Sequence, residues 1–387
     1  MPVINRVAEF EAEITGWRRD FHSFPELQYD VHRTAARVAE LLKSFGADEV
    51  ATGIGRTGVV AVIKGRGEGR TIGLRADMDA LPIAERSGKA YASQVSGKMH
   101  ACGHDGHTAM LLGAAKYLAE TRNFAGRAVL VFQPAEEGGA GGKAMLDDGL
   151  MDRFGIEEVY GLHNLPGLGV GHFGIRPGGI MAASDRFEIT IEGKGGHAAL
   201  PHNTIDPVLI AAHIIVGLQC IVSRNVDPMR QAVVSVTMID GGTAFNIVPR
   251  QVKLIGTARS LDEAVRNLVE AKIASISEGI AAAFGATARV SYSRGYPVTV
   301  NAAEQTEFAA RVAREVSGED RVDADADATM GGEDFAYMLQ ARPGAYIFLG
   351  NGSSSELHTE SYDFNDGAIP IGVSYWARLV EMALPVA

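Results

Sequence analysis

The sequence predicts an α/β protein: a mainly parallel central sheet flanked by helices, interrupted by a small ferredoxin-like α+β insertion. Three observations carry this. Strand-like and helix-like stretches alternate along residues 1–178 and again along 295–387, with strands that read as short apolar runs. Between them, 179–294 runs strand–helix–strand–strand–helix–strand. At 387 residues, the chain also exceeds the size at which a single core usually stops growing.

The segment up to Phe45 reads as helix broken at Pro25, with apolar residues at helical spacing through Val38, Leu41 and Leu42. Gly58–Ile63 and Thr71–Arg75 flank the turn-like Gly65-Arg66-Gly67-Glu68-Gly69, which predicts a hairpin. Thr108–Glu120 is a helix of good helix formers with a broad apolar face, and Ala128–Gln133 and Glu158–Leu162 are strands. The texture changes near Gly179. Phe187–Glu192 alternates as a half-buried strand does, followed by a helix over Asp206–Val222, strands over Ala232–Ile239 and Gln251–Ala258, a helix over Asp262–Phe284 and a strand over Arg289–Tyr292. After Pro297 the alternation returns, and Ala345–Leu349 is a further sheet strand.

Apolar residues make up 46% and charged residues 21%, which excludes disorder as a description of the whole chain. Asp and Glu (47) outnumber Lys and Arg (36), and the net charge of −11 argues against nucleic acid or an anionic membrane as partner. No stretch approaches the eighteen or so apolar residues of a membrane span, and the polar amphipathic start MPVINRVAEFEAEITGWRRDFH lacks the apolar core of a signal peptide. Two cysteines, Cys102 and Cys220, are too few to staple a secreted chain of this length. The expected location is the cytoplasm.

Several patterns fail on context. Gly53-Ile-Gly55-Arg-Thr-Gly58 has dinucleotide spacing but leads into a strand rather than a helix, so it reads as a turn. Glu136-Glu-Gly-Gly-Ala-Gly-Gly-Lys143 lacks the starting glycine of a phosphate loop, and Ala144 follows the lysine. Asp323-Ala-Asp-Ala-Asp327 has Ala328 where a calcium loop needs glycine, and reads as a solvated acidic loop.

One arrangement recurs. Strand-like runs lead at their carboxyl ends into Arg75-Ala-Asp77-Met-Asp79, into Pro134-Ala-Glu136-Glu137, into His163-Asn164 and into His358-Thr359. Open α/β sheets place their sites outside the carboxyl ends of strands, so these clusters are expected to converge. Between them lies Met99-His-Ala-Cys102-Gly-His104-Asp-Gly-His107. Cys102, His104, Glu137, His163 and His358 are too many ligands for one catalytic zinc, but suit a pair of cations bridged by the Cys102 thiolate. Of the adjacent glutamates, one ligates and the other takes a proton from water. Singly, each residue has a plainer reading: Cys102 as a small buried hydrophobe, Glu136 and Glu137 as an acidic turn, Asp77 and Asp79 as a solvated loop. His22, His32, His172 and His213 are left as surface or satisfied core residues, His107 as a helix start, and His100 is undecided.

The stretches MHACGHDGHTAMLLGAA, QPAEEGGAGGKAML, GLHN and GGHAALPH closely resemble hippurate hydrolases and indole-3-acetyl–amino acid amidohydrolases, a branch of the dinuclear aminoacylase–carboxypeptidase metallopeptidases. The resemblance runs over nearly the whole chain. It implies a zinc-peptidase-like catalytic domain over 1–178 and 295–387 and an inserted lid or dimerisation domain over 179–294. Cys102, His104, Glu137, His163 and His358 match the metal ligands and Glu136 the general base, while Asp77 and Asp79 match positions where a carboxylate fixes a ligand's orientation. His197 matches a lid histidine that stabilises the oxyanion, and Asn246 and Arg259 resemble substrate-carboxylate binders. On their own, the last two read as a turn asparagine and a surface arginine. Gly331-Gly-Glu333-Asp334-Phe335 also matches a recurring motif and reads as a helix start with acidic first-turn residues.

The implied activity is metal-dependent cleavage of N-acyl-L-amino acids, hippurate-like or N-acetylated, to a carboxylic acid and a free amino acid. A dipeptidase or aminopeptidase of the same superfamily is the neighbouring reading. A non-catalytic metal-dependent binder is the more distant one, disfavoured because it has no need of an unligated Glu136 beside Glu137. The implied cofactors are two divalent ions per chain, of zinc, manganese, cobalt or nickel. The implied assembly is a homodimer or higher homo-oligomer through the lid domain, with His197 reaching the partner's site.

Overall fold

Strand Thr71–Asp77 is buried along its whole length because parallel neighbours flank it on both sides, Arg127–Gln133 and Glu158–Pro166. Gly344–Gly352 continues the parallel run beside Glu158–Pro166. These four strands form the middle of an eight-stranded sheet, so their carboxyl ends finish side by side. The computed structural model describes residues 3–386 and resolves into two units. The larger contains this sheet and runs to Gly178, then over Val300–Asp327 and from Asp334 onward.

The expected hairpin between Gly58–Ile63 and Thr71–Arg75 does not form. Arg127–Gln133 lies between the two, antiparallel to Gly58–Lys64 and parallel to Thr71–Asp77. The glycine-rich turn is engaged elsewhere: Gly65 N–H donates to Gly126 O at 2.9 Å and Arg66 N–H to Phe124 O at 2.5 Å, so the intervening strand enters the gap. The true hairpin pairs Gly58–Lys64 with Glu49–Ile54 across the Gly55–Gly58 turn.

Helices Asn5–Ser23 and His32–Ser44 are separate, as Pro25 requires. Helix His104–Thr121 is almost wholly buried and lies against both Asn5–Ser23 and the final helix Ile369–Ala383. The approach demands glycine at 113, where a Cβ would meet Ile14 Cδ1 and Val373 Cγ2, each at 2.7 Å. The acidic stretch Asp323–Asp327 exposes its three aspartates.

The smaller unit comprises Gly179–Thr299 and Ala328–Glu333. Its antiparallel sheet has the order Ala232–Gly241, Gln251–Ser260, Ala183–Glu192, Thr287–Arg294, the 2-3-1-4 order of a ferredoxin-like unit. Two helices complete it. Asp206 caps Pro207–Cys220 by accepting from Val208 N–H, and Asp262 caps Glu263–Ala283 by accepting from Val265 N–H. Segment 328–333 joins this unit because Thr329 N–H donates to Ile180 O and Gly331 O accepts from Ala182 N–H.

One sequence expectation changes here. Pro207–Asn225, with mean hydropathy 1.7, is by length and composition apolar enough to cross a membrane. It spans helix Pro207–Cys220 and the following π turn, and its Ile210, Ala211, Ile214, Leu218 and Ile221 belong to the core of the smaller unit. Polar residues within the run, His213, Gln219, Ser223, Arg224 and Asn225, hid the stretch from a search for unbroken apolar sequence.

A buried ionic network ties the first helix to the start of the central one. Arg18, fully buried, sets Nε 3.0 Å from Asp105 Oδ2 and Nη2 2.6 Å from Asp363 Oδ1. His22 Nδ1 lies 2.8 Å from Asp105 Oδ2, and its Nε2 lies 3.2 Å from Glu85 Oε1. Burial alone pushes the His22 imidazole down, but Asp105 and Glu85 outweigh it and raise it from 6.5 to about 9. A group raised on folding stabilises fully below its unfolded value and loses that contribution as pH rises through the folded one. Denaturant titrations should therefore show the stability difference between wild type and His22→Gln shrinking from about pH 6.5 to beyond pH 9. Parallel stability profiles would refute a charged His22.

Candidate metal centre

The segments that follow the four parallel strands, together with the start of helix His104–Thr121, deliver the sequence-predicted groups of the larger unit to one place. Cys102, His104 and His163 present ligand atoms within 4.8 Å of one another, and so do Cys102, Glu137 and His358. The two groups share Cys102, whose Sγ lies 3.4 Å from His163 Nε2. His358 Nε2 lies 3.3 Å from Glu137 Oε1.

Each ligand atom is aimed by a bond made behind it. His104 Nδ1 donates to the main-chain carbonyl of Asp79 at 2.8 Å, which leaves Nε2 buried and without a hydrogen-bond partner. His163 Nδ1 donates to Asn164 O at 2.6 Å and leaves its Nε2 for Cys102. The backbone of His358 is in the left-handed region at φ 61°, held there by its N–H donating to Ala101 O at 2.8 Å. Burial pushes the Cys102 thiol up, while hydrogen bonds to Cys102 and Glu137 raise His358 to about 10. Three nitrogens, one sulfur and a carboxylate so gathered fit a pair of divalent cations: proximity forces protons onto His358 that a cation would replace.

The paired glutamates sit on a strained turn. Ala135 and Ala140, neither of them glycine, both adopt φ 55°, and Glu137 between them is non-helical at φ −69°, ψ 70°. Asp79 holds this turn: its Oδ1 accepts from Glu136 N–H at 2.9 Å and its Oδ2 from Glu137 N–H at 3.1 Å. Glu136 is buried, with its carboxylate within 4.8 Å of ligand atoms of His104 and Glu137.

Asp77, His104 and His107 form a further close group, but its donors are engaged. Asp77 Oδ1 is 2.7 Å from His107 Nδ1, and Asp77 Oδ2 accepts from Arg75 Nη1 at 2.7 Å. His107 Nε2 accepts from the backbone and side-chain amides of Asn164, each at 3.0 Å. Burial disfavours a charged Asp77, yet His104, Arg75 and His107 hold its carboxyl well below the usual range. His107 is therefore a strut between two strand ends rather than a simple helix start.

Sequence reasoning missed three supports. Asn164 Nδ2 donates to Cys102 O at 2.7 Å, and Tyr362 O–H donates to Asn164 Oδ1 at 2.6 Å. Gly103, at φ 90°, is required there because a Cβ would meet Asn164 Nδ2 at 2.2 Å. A helix does start at the Gly331–Phe335 motif, Phe335–Ala341 with Asp334 at its N-cap, but the Asp334 side chain serves elsewhere. It makes no cap bond; its buried carboxylate accepts from Arg75 Nη2 at 3.0 Å, Gln133 Nε2 at 2.7 Å and Gly142 N–H at 2.7 Å. Asn164 follows His163 directly in the sequence and was open to inspection, whereas Tyr362 carried no signal. His22 is a satisfied core residue, and His100 is buried with neither ring nitrogen hydrogen-bonded.

In the smaller unit, His197 and Asn246 come together. His197 pairs with Ile247 across a two-stranded ladder, and Ala198 N–H donates to Asn246 O at 3.0 Å. His197 is exposed and its Nδ1 accepts from Ala199 N–H at 3.1 Å, which places its proton on Nε2. Arg259 stands apart on strand Gln251–Ser260, half-buried, with Nε donating to Thr257 Oγ1 at 3.2 Å; burial lowers its pKa. It lines an open pocket with Ser184 and Thr257.

Residues 73–382 match the model of peptidase family M20/M25/M40. Hippurate hydrolase of Campylobacter jejuni is 44% identical over 379 residues, covering 98% of each chain. N-acetyl-L-cysteine deacetylase of Bacillus subtilis is 43% identical over 372 residues, covering 96% of this chain and 88% of the relative. The crystal structure of a dinuclear metal-binding peptidase of the M20 family from Bacillus subtilis superposes with a TM-score of 0.87 at 34% identity, covering 98% of this chain and 100% of that one.

Elemental analysis of the metal-reconstituted protein should find two divalent ions per chain, and Cys102→Ala should weaken retention of at least one. A single tightly held ion, indifferent to Cys102→Ala, would refute the bridged pair.

Proposed function

The chain belongs to peptidase family M20/M25/M40, and we propose that it is a metal-dependent amidohydrolase that cleaves N-acyl-L-amino acids, hippurate-like or N-acetylated, to a carboxylic acid and a free amino acid. One observation carries the reading: two donor groups share Cys102, and a buried second glutamate stands beside them. Cys102, His104, Glu137, His163 and His358 would hold the cations, and zinc, manganese, cobalt or nickel suits this mixture of imidazole, carboxylate and thiolate. When bound, such a pair polarises an amide carbonyl and acidifies water.

The chain's own groups supply the proton traffic. Glu136 accepts a proton from the attacking water and delivers it to the departing amine nitrogen. Asp79 keeps Glu136 and Glu137 from exchanging roles, because it fixes the backbone N–H of both. His197, with its proton on Nε2, would donate to the developing oxyanion. Arg259 and Asn246 would anchor the free carboxylate of the substrate; a half-buried guanidinium gains from a carboxylate partner. A cytoplasmic location suits the two free cysteines, one of them the proposed bridge.

A homodimer through the inserted unit is part of the proposal. Strand Ala232–Gly241 is the sheet's edge, with Met238 59% and Ile239 65% exposed, and Val216 on the neighbouring helix is 71% exposed. Unpaired edges and exposed apolar side chains favour association with a second copy.

Glu136→Gln should retain both metals while kcat for an N-acyl amino acid falls about 100-fold or more, as loss of a general base does. Glu137→Gln should lose metal affinity as well. The opposite pattern would exchange the two roles. Mixing Glu136→Gln chains with His197→Ala chains tests whether His197 acts across a dimer: with random exchange, confirmed by native mass spectrometry, about a quarter of all sites should recover. Full exchange with no gain over the separate variants would refute action of His197 across a dimer.

A further inference from the structure

Beside Glu137 the larger unit has a pocket of about 600 Å³ that the proposed chemistry does not use. This volume falls within the range of small-molecule sites. Leu27, Tyr29, Ala80, Leu81 and Pro82 line it. We infer that this pocket receives the acyl group of the substrate and sets the acyl-chain preference, a reading that rests on the amidohydrolase activity proposed above.

Three features carry the inference. The first is apolar chemistry next to the reacting position: Glu137, a proposed metal ligand, is itself a wall residue. A group attached to the scissile carbonyl therefore has an apolar recess within reach.

The second is charge. Among the lining residues the ionisable ones are Asp30, Glu137 and Tyr29, with no lysine, arginine or histidine. The substrate's amino-acid half carries a carboxylate, for which this lining offers no cationic side chain as partner, whereas an uncharged acyl chain needs none.

The third is rigidity. Ala80 N–H donates to Glu26 O at 2.8 Å, and Leu81 exchanges two backbone bonds of 3.0 Å with Met99, three residues before Cys102. Gln28, held at φ 46°, donates from Nε2 to Glu137 O at 3.2 Å. Tyr29 O–H donates to Gly139 O at 2.7 Å. Both walls are thus bolted to the segments that carry Cys102 and Glu137, so the recess keeps its place relative to the metal ligands without a ligand to order it.

The test is a set of kcat/KM ratios on the metal-loaded enzyme. With glycine as the amino acid, N-acetyl, N-butanoyl, N-hexanoyl and N-benzoyl substrates report the acyl side. With acetyl fixed, glycine, alanine, leucine and phenylalanine report the side-chain side. Leu81→Phe, which fills the recess, should lower the benzoyl-to-acetyl ratio about tenfold or more, and Leu27→Ala should raise the hexanoyl-to-acetyl ratio, as expected for apolar-pocket discrimination. The phenylalanine-to-glycine ratio should move less than either. Product inhibition of the wild type supplies a measurement that depends on no variant: inhibition constants of straight-chain carboxylates should fall from acetate to hexanoate. An acyl ratio unmoved by both variants, a shift confined to the side-chain series, or carboxylate inhibition indifferent to chain length would each overturn the inference. Failure of the wild type to cleave any N-acyl amino acid with metal bound would instead overturn the amidohydrolase reading.

Discussion

The candidate centre depends on one buried residue, Asp79. Its two carboxylate oxygens take the backbone N–H groups of Glu136 and Glu137, and its main-chain carbonyl takes the Nδ1 proton of His104. One residue thus orients the His104 ring and holds the turn that carries both glutamates. The next residue, Ala80, begins the wall of the apolar recess. Asp79 can do this because strand Thr71–Asp77 ends beside Arg127–Gln133 in parallel register, Asp77 opposite Gln133, so the residues beyond each strand meet.

Burying so much charge is costly unless each group is paired, and the pairing explains the unusual composition of this interior. Arg75 is fully buried, yet it serves Asp77, Asp334 and Gln133 together. Arg18 does the same for Asp105, Asp363 and Asp366 on the other side of the central helix. Cations at the Cys102 groups would complete the pattern, replacing the proton that His358 otherwise shares with Glu137 and Cys102. The left-handed backbones at Ala135, Ala140 and His358 fit the same logic, since local strain persists where surrounding bonds over-determine it.

Much of this was legible in the sequence, for a stated reason. Apolar runs of strand length report burial directly, and the residues that follow them report what the sheet edge presents; Glu137, His163 and His358 were found that way, and Cys102 and His104 in the stretch that leads into the central helix. The alternating strands and capped helices of the inserted unit were equally readable, since Asp206 and Asp262 mark their helices within one residue.

What sequence periodicity does not encode is which strands become neighbours, and this is where the tertiary structure decided. The glycine-rich turn at 65–69 looked like a hairpin, but its amides bond the Phe124–Gly126 turn and another strand takes the gap. Asp334 looked like a first-turn acid, but its partners Arg75, Gln133 and Gly142 lie far away in sequence. Tyr362 and Leu27 are ordinary residues until the fold sets them against Asn164 and Ala80. The sequence by itself determined the chemical groups and the elements that carry them, because those depend on residue type and local spacing. Only the fold decided their partners, because hydrogen bonds and burial between distant segments depend on positions that no local pattern records.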